Sequence, residues 1–212
     1  MHKTPLLTLA SLSVLIAGHA RAEVSANVGW MNDYYYRGIF QARSSAAGGI
    51  DWSQSGFYAG TWAADVDDGL EIDGFFGYAR EIGDVSLSAG FTGYYYTQDF
   101  DDTYQELNLG AALEFVSLAV ALGEYGNFDG PAEDYTWYAL TLEKNGFHGR
   151  LATFGRDFDG SYLELGYSRK LAELDLGLTL IVADDRLVGE STESLVFSIG
   201  KSFEIGRSGE SP

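Results

Sequence analysis

The sequence predicts an all-β chain, a transmembrane antiparallel up-and-down β-barrel of about twelve strands, and three observations carry that prediction. Segment after segment alternates apolar and polar residues with period 2, the mark of a strand with two unlike faces. The connections alternate between short turns and longer, acidic loops, the rhythm of a barrel with tight turns at one rim and loops at the other. The face opposite the apolar one is built from Gly, Ser, Ala, Glu and Asp, as a polar barrel interior requires. Alternation by itself also fits a soluble β-sandwich. Aromatics gathered at strand ends, Tyr34-Tyr35-Tyr36, Trp52, Tyr94-Tyr95-Tyr96, Tyr135 and Trp137, favour the barrel, because such rings form interfacial girdles.

Taken in order, the chain opens with Met1–Lys3, which is positively charged, and Leu6–Ala17, a short apolar run. Ala20-Arg21-Ala22 then supplies a small-x-small pattern. Together these describe an export leader over 1–22, too short in its apolar part to span a bilayer as a helix. Twelve strand segments follow, near 24–33, 43–52, 57–66, 69–80, 84–97, 103–115, 117–124, 135–144, 147–156, 160–170, 173–183 and 192–203. Most approach the roughly 9–11 residues that a tilted strand needs to cross a bilayer. In the fifth segment Val85, Leu87, Ala89 and Phe91 oppose Ser86, Ser88 and Gly90. In the sixth, Leu107, Leu109, Ala111, Leu113 and Phe115 oppose Glu106, Asn108, Gly110, Ala112 and Glu114. Leu174, Leu176, Leu178, Leu180 and Val182 form an unbroken apolar face in the eleventh, and Leu195, Phe197, Ile199 and Phe203 repeat it in the twelfth.

Ser53–Gly56, Ile82-Gly83, Val116, Asn145-Gly146 and Leu171-Ala172 are the short connections; Asn-Gly is the pair that favours a tight hairpin. Asp67-Asp68, Gln98–Asp102, Tyr125–Asp134, Asp157–Gly160 and Asp184–Ser191 form the other set. No linker-like stretch divides the chain, so one barrel domain is expected over 23–203, with a polar tail over 204–212.

Composition excludes several function classes. The formal charge of -18 argues against nucleic acid as a partner, because phosphate binding needs clustered Lys and Arg. The chain has no Cys, which removes disulfides, thiolate metal sites and a thiol nucleophile. Beyond the leader the only His is His148, expected near the short-turn rim, while the acidic pairs Asp101-Asp102 and Asp184-Asp185 lie in loops at the other. The apolar band between the rims is roughly 25 Å tall, far beyond the reach of a proton relay. No enzymatic step, catalytic residue or cofactor is therefore expected.

The inward face is expected to carry Glu71, Asp73, Glu106, Glu114, Glu164 and Asp175, opposed by Arg150 and Arg156. An excess of lumen carboxylates predicts preference for cations over anions. The same charges also allow ion pairs that plug a narrow interior, since about twelve strands fall between filled eight-stranded barrels and open sixteen-stranded porins. The acidic loops suit hard divalent cations in chemistry, yet none has EF-hand spacing, and a solvated loop surface is the plainer reading.

Two stretches carry a family resemblance. Ser25-Ala26-Asn27-Val28-Gly29, then Asp33-Tyr34-Tyr35-Tyr36-Arg37-Gly38-Ile39 and Gln41, resembles the N-terminal signature of the TorF-type porins. Gly56-Phe57-Tyr58-Ala59-Gly60-Thr61-Trp62 with Val66-Asp67 resembles the second signature of that family. The match is specific over 23–67, departs at Phe40 and Ala64-Asp65, and is carried afterwards by the strand rhythm alone. The resemblance implies a barrel in the bacterial outer membrane that passes small hydrophilic solutes or ions. Its partners would be outer-membrane lipids, those solutes and the barrel assembly machinery. Phe203 followed by a polar tail departs from the terminal aromatic that such barrels commonly present. A non-conducting structural or adhesive barrel, with the acidic loops as working surface, is the alternative.

Overall fold

The computed structural model describes residues 22–207, so the leader expected over 1–22, apart from Ala22, and residues 208–212 lie outside the described residues. Twelve strands follow one another: β1 Glu23–Tyr36, β2 Ile39–Gln54, β3 Phe57–Val66, β4 Gly69–Ile82, β5 Val85–Tyr96 and β6 Tyr104–Leu113. The second half comprises β7 Val116–Tyr125, β8 Glu133–Lys144, β9 Phe147–Arg156, β10 Ser161–Leu171, β11 Leu174–Ala183 and β12 Thr192–Arg207. A one-turn helix, α1 Asp185–Val188, sits in the last loop. Each strand pairs with its neighbours in sequence, and β1 pairs antiparallel with β12 to close the ring. Closure satisfies the backbone N–H and C=O groups that hydrocarbon leaves without partners. The last strand continues through Glu204–Arg207, past the end at 203 read from the sequence.

Turn chemistry follows the sequence. Ser55-Gly56 and Asn145-Gly146 both adopt positive φ at two successive residues, 52° and 88° in the first and 55° and 85° in the second. That is the conformation matching the twist of a two-residue hairpin. At the opposite end, Asp184 caps α1, accepting from the N–H groups of Leu187 and Ser161. Partial desolvation pushes its carboxyl up, but those two donors and the Arg186 guanidinium outweigh it and hold the group below the usual carboxylate range.

Greasy side chains point away from the axis. Leu87, Leu107, Leu113, Leu118, Leu140, Leu151, Leu165 and Leu178 are all exposed on the outer wall. The interior is filled in its loop-end half by two aromatic-rich clusters, one around Tyr135, Trp137, Phe154 and Tyr162, the other around Met31, Tyr34 and Val66.

One hairpin leaves the wall. The ladder between β1 and β12 stops at Met31↔Ser198, and the ladder between β2 and β3 begins only at Ala47↔Ala64. Between those points β1 and β2 stay paired with each other up to Tyr36↔Ile39. Residues 32–46 therefore form a flap peeled from both flanking strands, turning at Arg37-Gly38 with φ of 50° and 83°. The register slips between Tyr34 and Tyr35, and Ser44 is left-handed with φ of 58°. These irregularities bend the hairpin away from the barrel surface. Asn32 covers part of the vacated ladder, accepting from the N–H of Phe197 at 2.6 Å and donating to Leu195 O at 3.3 Å. On the other side the Ser45 hydroxyl donates to Asp65 O at 2.7 Å, and the Asp67 N–H donates to Gln41 O at 3.2 Å.

The wall orientation has a direct check. Nitroxide labels at Leu109 and Phe197, 44% and 42% exposed, and at Leu176 on the same outer face are expected to be relaxed by lipid-dissolved oxygen in bilayers. Shielding of these three labels would overturn the outward assignment.

Candidate functional site

The candidate site is the lumen at the height of the flap tip. Strand alternation turns Glu71 and Asp73 of β4, Thr92 and Tyr94 of β5, Glu106 of β6 and Tyr135 and Trp137 of β8 inward, all of them buried. The flap brings Tyr34, Tyr36 and Arg37 across the lumen to meet them. Arg37 forms a bidentate ion pair with Glu106, Nη1 to Oε1 and Nη2 to Oε2, the second bond at 2.9 Å. Two phenols complete the shell of that carboxylate: Tyr135 OH donates to Oε1 at 2.7 Å and Tyr94 OH to Oε2 at 3.0 Å. The guanidinium carbon lies 4.1 Å from the Trp137 ring centroid and 5.0 Å from that of Tyr36. Fork geometry and ring stacking are what distinguish arginine from lysine at such a place.

The rest of the tip is equally well seated. Tyr34 OH donates to Glu71 Oε1 at 2.7 Å. Gly38 packs so closely on Tyr162 that an added Cβ would stand 2.8 Å from its ring, which makes a side chain unaffordable at this left-handed position. Above, Tyr104 and Tyr125 stack at 4.5 Å between centroids, and both donate to the Asp101 carboxylate at 2.8 Å. Phe158 stacks on Tyr135 at 4.9 Å. At Gly123 the place of a Cβ is taken by the Tyr135 ring, so this glycine gives the ring room to lie flat on the wall. With Glu71 0% and Glu106 1% exposed, no water-sized passage runs beside either carboxylate among the described residues.

Carboxyl groups outnumber cationic side chains here. Glu71, Asp73 and Glu106 face one cation, Arg37, and the buried oxygens Glu71 Oε2 and Asp73 Oδ1 lack hydrogen-bond partners among the described residues. Toward the short-turn end the interior changes to small and polar side chains. There Arg150 pairs with Glu164 at 3.1 Å and also donates to Thr141, and Asn27 donates to Asp51 at 3.3 Å. Lys170 stands 3.8 Å from Asp175. His148 is half-buried at this end, beside Gly166 and distant from the loop acids.

The structure thus places Glu71, Asp73, Glu106, Arg150, Glu164 and Asp175 on the inward face, at different heights. Two of the expected lumen residues belong elsewhere. Glu114 stands in the Glu114-Phe115 turn with φ of 52° and is exposed, because β6 ends at Leu113. Arg156 closes β9 with φ of 74°, which breaks the alternation and swings its side chain to an exposed pair with Asp134 at 3.1 Å. The sequence reading missed Arg37. Arg37-Gly38 between aromatic runs signals a turn, but nothing in a single sequence says that this turn folds inward.

A closed ring of strands with an apolar outer wall and a polar interior defines a transmembrane β-barrel. The chain belongs to the Gcw_chp family, described as bacterial protein of unknown function, whose model matches residues 17–194. The TorF-type family resemblance is not among these matches. No curated protein matches the sequence. The fold is similar to that of a protein from a study of in-meso crystallization of membrane proteins, with TM-score 0.58, 8% identity, and 86% of this chain and 84% of that chain covered. It is also similar to OccK2 (OpdF) of Pseudomonas aeruginosa in complex with glucuronate, with TM-score 0.41, 14% identity, and 90% and 68% covered. A BenF-like porin from Pseudomonas fluorescens Pf-5 gives TM-score 0.41 and 10% identity, with 83% of this chain covered and only 59% of that porin.

The buried pair predicts a thermodynamic asymmetry. Glu106→Ala, which strands Arg37 in the lumen, is expected to lower the unfolding free energy by about 3 kcal/mol. Replacing both partners, Arg37→Met with Glu106→Leu, should recover most of that loss in a urea titration of the refolded barrel.

Proposed function

We propose that this barrel resides in the bacterial outer membrane and is a narrow pore for small hydrophilic solutes or ions, cations in preference to anions. The conformation described here is its closed state. The observation that carries this reading is the nature of the closure. The loop-end half of the lumen is sealed by a hairpin that has left the wall and is held at its tip by side-chain contacts, chief among them the ion pair of Arg37 with Glu106 and the bond of Tyr34 to Glu71. A barrel filled from its own strands would have no removable part. With the flap withdrawn, Glu71, Asp73 and Glu106 would line the passage, and their charge favours cations. Arg150 and Glu164 below neutralise one another and leave that bias intact. Passage of this kind involves no covalent step, so no enzymatic role is part of the reading.

The near-complete burial around Glu106 favours a second reading, a non-conducting structural or adhesive barrel that presents its acidic loops. Planar-bilayer recording separates the two. Wild-type protein is expected to stay mostly closed, and Arg37→Ala to raise open probability about tenfold or more, with a reversal potential on the cation side in a KCl gradient. Silence of both proteins, or anion selectivity in the variant, would refute the cation pore.

A further inference from the structure

The chemistry of the Glu106 cage names a ligand class. Both carboxylate oxygens are engaged side by side by a guanidinium fork, while the phenols of Tyr94 and Tyr135 donate to the same two oxygens and fix their plane. Trp137, on the wall, offers its ring face to the flat cation. An ammonium ion forms neither the parallel pair of bonds nor the stack. The group now in the cage is attached to a hairpin free of the wall ladders on both sides, so it occupies the site as a tethered ligand would.

We propose that Glu106, Tyr94, Tyr135 and Trp137 form a binding site for guanidinium-bearing solutes, occupied in the closed state by the protein's own Arg37. Asp73 lies directly across from Tyr94 in the β4–β5 ladder, and its buried Oδ1 has no partner among the described residues, so an unused acceptor stands beside the cage. A solute guanidinium competes with the tether, whose effective concentration is on the order of millimolar. Occupation of the cage by the solute releases Arg37 and with it the flap. The binding half of this inference stands on the cage alone; the release half rests on the pore reading.

Chemical rescue tests it. Arg37→Ala protein, refolded in detergent micelles, is titrated with methylguanidinium while tryptophan fluorescence and thermal unfolding are followed. The expected result is saturable binding in the millimolar range with a rise in unfolding temperature, and at least about tenfold weaker binding of methylammonium. Glu106→Gln in the same background should abolish the response. A response that does not saturate, that is equal for methylammonium, or that survives Glu106→Gln overturns the site. If Arg37→Ala does not refold, Arg37→Lys keeps the charge and the tether, and methylguanidinium should displace the lysine at about tenfold lower concentration than it displaces Arg37 in wild type; equal concentrations overturn the site. Saturable binding with no conductance in any variant would keep the site and remove the pore reading, so the two failures are distinguishable.

Discussion

The hydrogen-bond demand of a backbone in hydrocarbon governs the molecule. Each strand must give its N–H and C=O groups to two neighbours, and only a closed ring does this for all of them. β1 and β2 meet that demand along their lower lengths and abandon it above Met31 and below Ala47 in sequence, where they keep only each other. The flap is tolerated because its lost wall bonds are replaced locally. Asn32 serves the exposed edge of β12, and Ser45 and the Asp67 N–H serve the edge between β2 and β3. The departure also lies at the loop end, where strands leave the apolar band and water is at hand.

What the flap gains is a filled interior. A barrel of this size leaves more room than strand side chains can occupy, and Tyr34, Tyr36 and Arg37 occupy much of it at the loop end. Burying a guanidinium and a carboxylate there is costly unless geometry is good and remaining lone pairs are met. Both conditions hold at Glu106, whose oxygens receive the Arg37 fork and two phenols. The sequence left lumen charges balanced between lining a passage and plugging it. The structure separates these charges by height: Glu106 lies in the filled loop-end half, whereas Arg150, Glu164 and Asp175 lie toward the short-turn end.

Much of this was legible in the residues because strand faces are a period-2 property. The seven exposed leucines from Leu107 to Leu142 on the outer wall, and the turn at Asn145-Gly146, follow from alternation and turn chemistry alone. Legibility failed where alternation fails. Tyr34-Tyr35-Tyr36 is uniformly aromatic, so it hides both the bulge and the extension of β1 to its turn. Arg156 has left-handed backbone, which no side-chain pattern reveals, and Glu114 continues an apparent alternation one residue beyond the end of β6. Arg37 was invisible for a different reason. Its partner lies 69 residues away in sequence, and that contact exists only because the flap crosses the lumen.

Selection in such a barrel would operate at two ranges. Asp65, Asp67, Asp68, Asp99, Asp101, Asp102, Asp157, Asp159, Asp184 and Asp185 crowd the loop end, only partly offset by Arg156 and Arg186, and a predominantly negative field of this kind would concentrate cations at the mouth within a Debye length of about 8 Å at physiological salt. That field cannot tell one cation from another. Discrimination has to come from contact geometry in a dry place, where a fork bound to a fixed carboxylate and a plane set against Trp137 count for more than charge. A mouth that gathers positive charge without distinction would suit a closure that yields only to one shape of it. On the proposal made above, Arg37 would be that shape, and a barrel latched by a copy of the group it admitted would need no separate sensor.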